Sequence, residues 1–120
     1  MPRERGLFVD VIEPGDGEPP ILLVQGEIDL GNADELLEAA LSTDHDQLVI
    51  DLTYVPFMDS IGLRSLHVRV QRLERQGVRV AIASPCDQVG QLFRMTGVDR
   101  VLDIHATQEA GRRAVRAPKA

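Results

Sequence analysis

Aromatic residues are scarce in this 120-residue chain, which has three Phe, one Tyr and no Trp. Leu, Val, Ile and Ala must therefore fill its core, and no aromatic set is present on which bases could stack. The single cysteine, Cys86, excludes a disulfide framework and a cysteine-based metal site. No apolar run approaches the roughly 20 residues that span a bilayer. Met1-Pro2-Arg3-Glu4-Arg5 leads straight into a strand-like segment without a signal-peptide apolar region. These absences predict a cytoplasmic protein without membrane association.

Positive charge is also missing from half the chain. Residues 6–63 hold 13 acids and no Lys or Arg, a formal −13, while residues 64–120 hold 11 bases against 5 acids. With +1 from residues 1–5 the net charge is −6. Such asymmetry marks a partner-facing surface or a difference in sign between solvated helix faces. Nucleic acid is disfavoured as a partner, since the chain as a whole is repelled by phosphates.

Catalytic patterns are absent too. Gly15 and Gly17 lie in a Pro-rich turn, and no phosphate-binding strand–GxxxxGK[ST]–helix unit exists. His45, His67 and His105 are scattered without ligand spacing, and no Ser-His-Asp or paired-carboxylate set stands out. Cys86 opens a helix, where a thiolate is favoured, but has no partner base. The chain is expected to be no enzyme and to need no cofactor or metal.

What is present is a regular alternation of elements. Leu7–Ile12 and Ile21–Gln25 read as strands joined by the turn Pro14–Pro20. Asn32 and Glu35 match a capping box for a helix with Ala33, Leu36, Leu37, Ala40 and Leu41 on one buried stripe. Gln47–Leu52 is a third strand, followed by a helix from Ser60 to about Gln76 that Gly77 ends. Val78–Ala83 is a fourth strand. Ser84 and Pro85 supply an N-cap and N1 for a helix through Met95, stopped at Gly97. Val101–Ile104 is a short last strand, Thr107 caps a final helix to about Val115, and 116–120 should fray. The order implies one α/β domain of 120 residues. The short link between the first two strands makes them an antiparallel pair at one edge of an otherwise parallel sheet.

The helix beginning at Ser60 carries the most informative residues. Taking Ser60 as zero and about 100° per residue, Leu63, Leu66, Val70 and Leu73 fall at about 220–300°, a core stripe. Ile61 and Val68 lie opposite, at about 100° and 80°, among Arg64, Arg72 and Arg75. A small apolar centre within a charged rim is how partner patches are built, although single exposed aliphatics are ordinary. A hydroxyl at a helix N-terminus also tolerates a phosphate, because free N–H groups and the macrodipole favour an anion there. Either Ser60 or Asp59 can serve as the N-cap.

Four stretches now match a known family. They are Val24-Gln25-Gly26-Glu27-Ile28-Asp29, Val49-Ile50-Asp51-Leu52, Phe57-Met58-Asp59-Ser60-Ile61-Gly62-Leu63 and Gln91-Leu92-Phe93-Arg94-Met95-Thr96-Gly97-Val98-Asp99. The chain resembles the anti-sigma factor antagonists of bacterial partner switching, which are single STAS domains. The third stretch is the most specific, containing the phosphoacceptor pattern Asp-Ser-x-Gly-Leu. The resemblance implies a STAS-like fold with a core over about 7–115, a mixed and mostly parallel sheet, and helices packed mainly on one face.

It also implies a function. The unphosphorylated form would bind a GHKL-type anti-sigma serine kinase and release a sigma factor. Phosphorylation of Ser60 would block that binding, and a PP2C-type phosphatase would reverse it. Asp29 matches the acidic residue before the first helix that contacts the kinase, and Asp59 matches the residue preceding the acceptor. The partner-binding set is thus Asp29, Asp59, Ser60, Ile61, Gly62, Arg64 and Val68, on a monomer or weak dimer. Ile61 replaces the family's usual Ser or Thr, removing a second acceptor. Arg64 replaces a small residue one turn after Ser60, where it could pair with a phosphoserine. The alternative is a STAS scaffold or accessory subunit, stressosome-like or lipid-transport-associated; a scaffold assembles into a megadalton particle on size exclusion.

Overall fold

The computed structural model describes residues 6–15 and 17–116. Its strands are β1 (Phe8–Ile12), β2 (Ile21–Gln25), β3 (Gln47–Tyr54), β4 (Arg79–Ala83) and β5 (Ile104–His105). Its helices are α1 (Ala33–Ser42), α2 (Ser60–Arg75), α3 (Asp87–Thr96) and α4 (Gln108–Arg116), with a short 3₁₀ turn at Val98–Arg100. The sheet runs in the order β1-β2-β3-β4-β5, with β1 antiparallel to β2 and every other pair parallel. A link of eight residues permits the antiparallel edge pair, whereas the parallel pairs need the helical crossovers.

Strand alternation sorts the apolar residues onto two faces. Leu22, Ile50 and Ile82 lie in one register row and enter the main core with Leu36, Leu66, Leu73, Val89 and Phe93 from α1, α2 and α3. Ile21, Val49, Ala81 and Ala83 face the other way and pack on Val115 of α4. Three helices thus share one face and α4 covers part of the second. The close approach of α4 relies on small residues: a Cβ on Gly111 would sit 3.3 Å from Val49 and 3.6 Å from the Cβ atoms of Ala81 and Ala83. Buried Asp51 joins the same seam, its Oδ2 accepting from Gln108 Nε2 at 2.6 Å.

Several local expectations are corrected. Helix α3 begins at Asp87 with Cys86 as N-cap, because the Ser84 N–H is still committed to the sheet edge through the His105 carbonyl. Strand β5 shrinks to two residues, since Val101 and Leu102 donate their N–H groups to Val98 and cannot join the ladder. Strand β3 runs on to Tyr54, which pairs with Gln25 beyond an irregularity in β2. Leu41 is exposed; it lies about 80° round from Ala33 at the border of the stripe. Arg116 ends α4 in order, its Nη1 bonded to both Glu18 carboxylate oxygens at 2.8–2.9 Å, and residues 117–120 of the expected tail lie outside the described residues.

Candidate functional site

Core anchoring sets the position of Ser60. After β3, Val55 and Met58 are buried, so the loop between them is held down at both ends. Cys86 Sγ lies 3.5 Å from the Val55 carbonyl and 3.7 Å from that of Pro56, tying the loop to the start of α3. The thiol is engaged with backbone there. Helix α2 then starts with Asp59 as its N-cap, in extended backbone, its Oδ1 accepting from Gly62 N at 2.7 Å. Asp59 takes the capping role, which leaves Ser60 at N1 with its side chain exposed. Removing the cap by Asp59→Ala should lower stability by about 1 kcal/mol, read in a urea melt beside wild type.

Across from this turn lies the loop between β2 and α1. The Asp29 carboxylate accepts from Asn32 N at 2.9 Å, and the Asn32 side chain accepts in return from Asp29 N at 2.9 Å. Asn32 Nδ2 also donates to the Glu27 carbonyl at 2.8 Å. The expected capping box is therefore replaced: Asn32 is buried and spends its side chain on the loop before α1, with no side-chain cap bond to the helix. These bonds brace the loop, and its Ile28 carbonyl presses on Gly62, where a Cβ would collide with it. Gly62, expected in the partner-binding set, is buried: it permits that approach and offers no exposed side chain of its own.

The loop and α2 border a groove of about 920 Å³. Its lining includes Ser60, Ile61, Arg64 and Val68 from α2, Leu30 from the loop, and Val98 and Val101 from the turn after α3. Ile61 is 57% exposed and Val68 37%, as the helical phase predicts, while Leu63, Leu66, Val70 and Leu73 are buried. Leu30 and Val101, 69% and 61% exposed, extend this apolar surface. Sequence reasoning missed both. Leu30 sits in a loop without periodicity, and Val101 reads as the start of a strand; an apolar residue between Asp29 and Gly31 is the one available signal.

Among the described residues, no acidic one lines the groove. Arg69 reaches Asp34 of α1 with Nε at 3.1 Å and Nη2 at 2.9 Å. The described residues contain no group of three or more His, Cys, Asp or Glu able to hold a metal, and no helix among them is long and apolar enough to cross a membrane. The arrangement offers an exposed hydroxyl, an apolar surface and cations; it suits binding and modification.

Comparisons with known proteins agree on one family. The STAS domain model matches residues 11–111. The anti-sigma-B factor antagonist of Bacillus subtilis is 31% identical over 90 residues, covering 73% of this chain and 83% of that protein. The anti-sigma-F factor antagonist RsfA of Mycobacterium tuberculosis is 30% identical over 95 residues, covering 75% and 74%. The crystal structure of an anti-sigma factor antagonist from Mycobacterium paratuberculosis superposes with a TM-score of 0.76 at 26% identity, over 98% of this chain and all of that one.

Proposed function

Because the chain belongs to the STAS domain family of anti-sigma factor antagonists, we propose that it binds an anti-sigma factor when unphosphorylated and is switched off by phosphorylation of Ser60. The partner is a GHKL-type serine kinase, which holds the ATP; a PP2C-type phosphatase restores the active form. The observation that carries this is the division of labour at the start of α2: Asp59 caps the helix, so Ser60 Oγ stays exposed beside the apolar groove.

The chemistry required of this chain is small. Ser60 Oγ attacks the γ-phosphorus of ATP, the bond to the β–γ bridging oxygen breaks, ADP leaves, and the hydroxyl proton passes to a base on the kinase or to water. The product dianion sits at the start of α2, where the positive end of the helix macrodipole tolerates it although Asp59 already caps Gly62 N. Loss of binding then comes from charge and desolvation at the interface rather than from damage to the fold. Asp29, Asp59, Ile61, Arg64, Val68 and the Gly62 turn form the contact surface, with Leu30 and Val101 extending it.

The test uses purified GHKL anti-sigma kinases from the same genome and labelled ATP. One phosphate should enter wild type and none the Ser60→Ala form. Ser60→Asp should weaken the complex at least about tenfold while leaving the thermal midpoint nearly unchanged, since a carboxylate at a helix N-terminus is worth roughly 0.3–1 kcal/mol in its favour. Stoichiometric labelling of Ser60→Ala, or a collapse of the Ser60→Asp melt, overturns the proposal.

A further inference from the structure

We propose that Arg64 captures the phosphate of phospho-Ser60 within the same molecule, so that phosphorylation closes an ion pair along α2 in addition to adding charge. The proposal rests on the phosphorylation of Ser60 proposed above. Residues four apart on one helix have neighbouring side chains, about 5–6 Å apart at Cβ, and Ser60 and Arg64 both line the groove from an unbroken helix. Both are exposed. Arg64 makes no hydrogen bond or ion pair among the described residues, so no existing contact must be broken for it to turn.

The neighbours make Arg64 the cation available for this role. Arg69, further along the groove, is engaged by Asp34. His67 is half-buried and nearly two turns from Ser60. Asp59 and Asp29, the acidic groups of the two facing segments, oppose a dianion, but each is already bonded to backbone N–H. A guanidinium offers paired donors to phosphate oxygens, and no carboxylate in the groove lining competes for it. The phosphate thus leaves the molecule with less net charge at its tip than the modification alone would place there, and an off-state that is ordered and partly masked.

Phosphoserine placed at position 60 during translation tests this without any kinase, so failure of the capture and failure of the kinase assignment are separable. The ³¹P resonance of phospho-Ser60 should titrate at lower pH in wild type than in Arg64→Ala, by about 0.5 in pH from an ordinary second ionisation near pH 6. Arg64→Lys should fall between them. Asp59, Asp29, His67 and the helix terminus are common to all three proteins, so the difference isolates Arg64. The Nε–Hε signal of Arg64 should shift on phosphorylation and return in about 0.5 M salt. Coincident titrations in wild type and Arg64→Ala, with an unmoved Arg64 signal, overturn the proposal.

Discussion

Replacing Gly62 with alanine should destabilise the protein by about 2 kcal/mol or more, against the direction helix propensity alone predicts. In an exposed helix interior, alanine is worth about 1 kcal/mol over glycine. At Gly62 the new methyl would strike the Ile28 carbonyl, with Met58 Cγ at 3.2 Å and Asp59 Oδ1 at 3.4 Å closing the other sides. Backbone and cap must then shift, and overpacking of this kind costs about 1–3 kcal/mol, sometimes more. Gly90 in α3 is the control. A Cβ there meets only Arg94 Nη1 at 3.4 Å and Pro85 Cγ at 4.0 Å, both at side-chain positions. Gly90→Ala should be neutral or stabilising by up to about 1 kcal/mol. Urea melts should therefore show a large loss of stability for Gly62→Ala and none for Gly90→Ala. Gly62→Ala should also weaken partner binding, because the loop carrying Asp29 and Leu30 is what the methyl displaces.

The second large effect separates core from contact surface on a single helix. Leu66 is fully buried, and Leu66→Ala should cost about 2–5 kcal/mol of stability. Ile61→Ala and Val68→Ala should each cost well under that, because both side chains are exposed on the groove side. In binding the order should reverse: each exposed truncation should weaken the complex with the proposed partner by at least about 1 kcal/mol if it anchors that partner. Arg64→Ala should leave the unphosphorylated complex less affected and make the phosphorylated form bind more weakly still. Isothermal titration on preparations whose melts are recorded in parallel settles it. A strongly destabilised Ile61→Ala protein, or one that binds like wild type, removes Ile61 from the surface.

Periodicity carried most of the architecture. The 3.6-residue stripe of α2, the apolar runs of β2 and β3, and the glycines at positions 77 and 97 depend on local spacing and backbone conformation, and the structure follows them. The edge pairing of β1 with β2 was legible because a short link leaves no room for a crossover. Errors gathered where one local preference competes with another bond, near or distant in the chain. Asn32 has the chemistry of a cap, but Glu27 and Asp29 claim its side chain. Ser84 and Pro85 resemble a helix start, but β5 holds Ser84 in the sheet.

The candidate site divides in the same way. From the sequence alone came the exposed phase of Ile61 and Val68, the helix-terminal place of Ser60 and the isolation of one acidic half from one basic half, all consequences of order along the chain. Tertiary structure decided that Asp59 and not Ser60 caps α2. It also decided that Gly62 is glycine because the Ile28 carbonyl lies against it, and that Leu30 and Val101 join Ile61 on one surface. The cap turns on the backbone conformation at Asp59, three residues from Gly62; the other two depend on which segments the sheet brings side by side, and contacts across 30 or more residues leave no periodic trace in a single sequence.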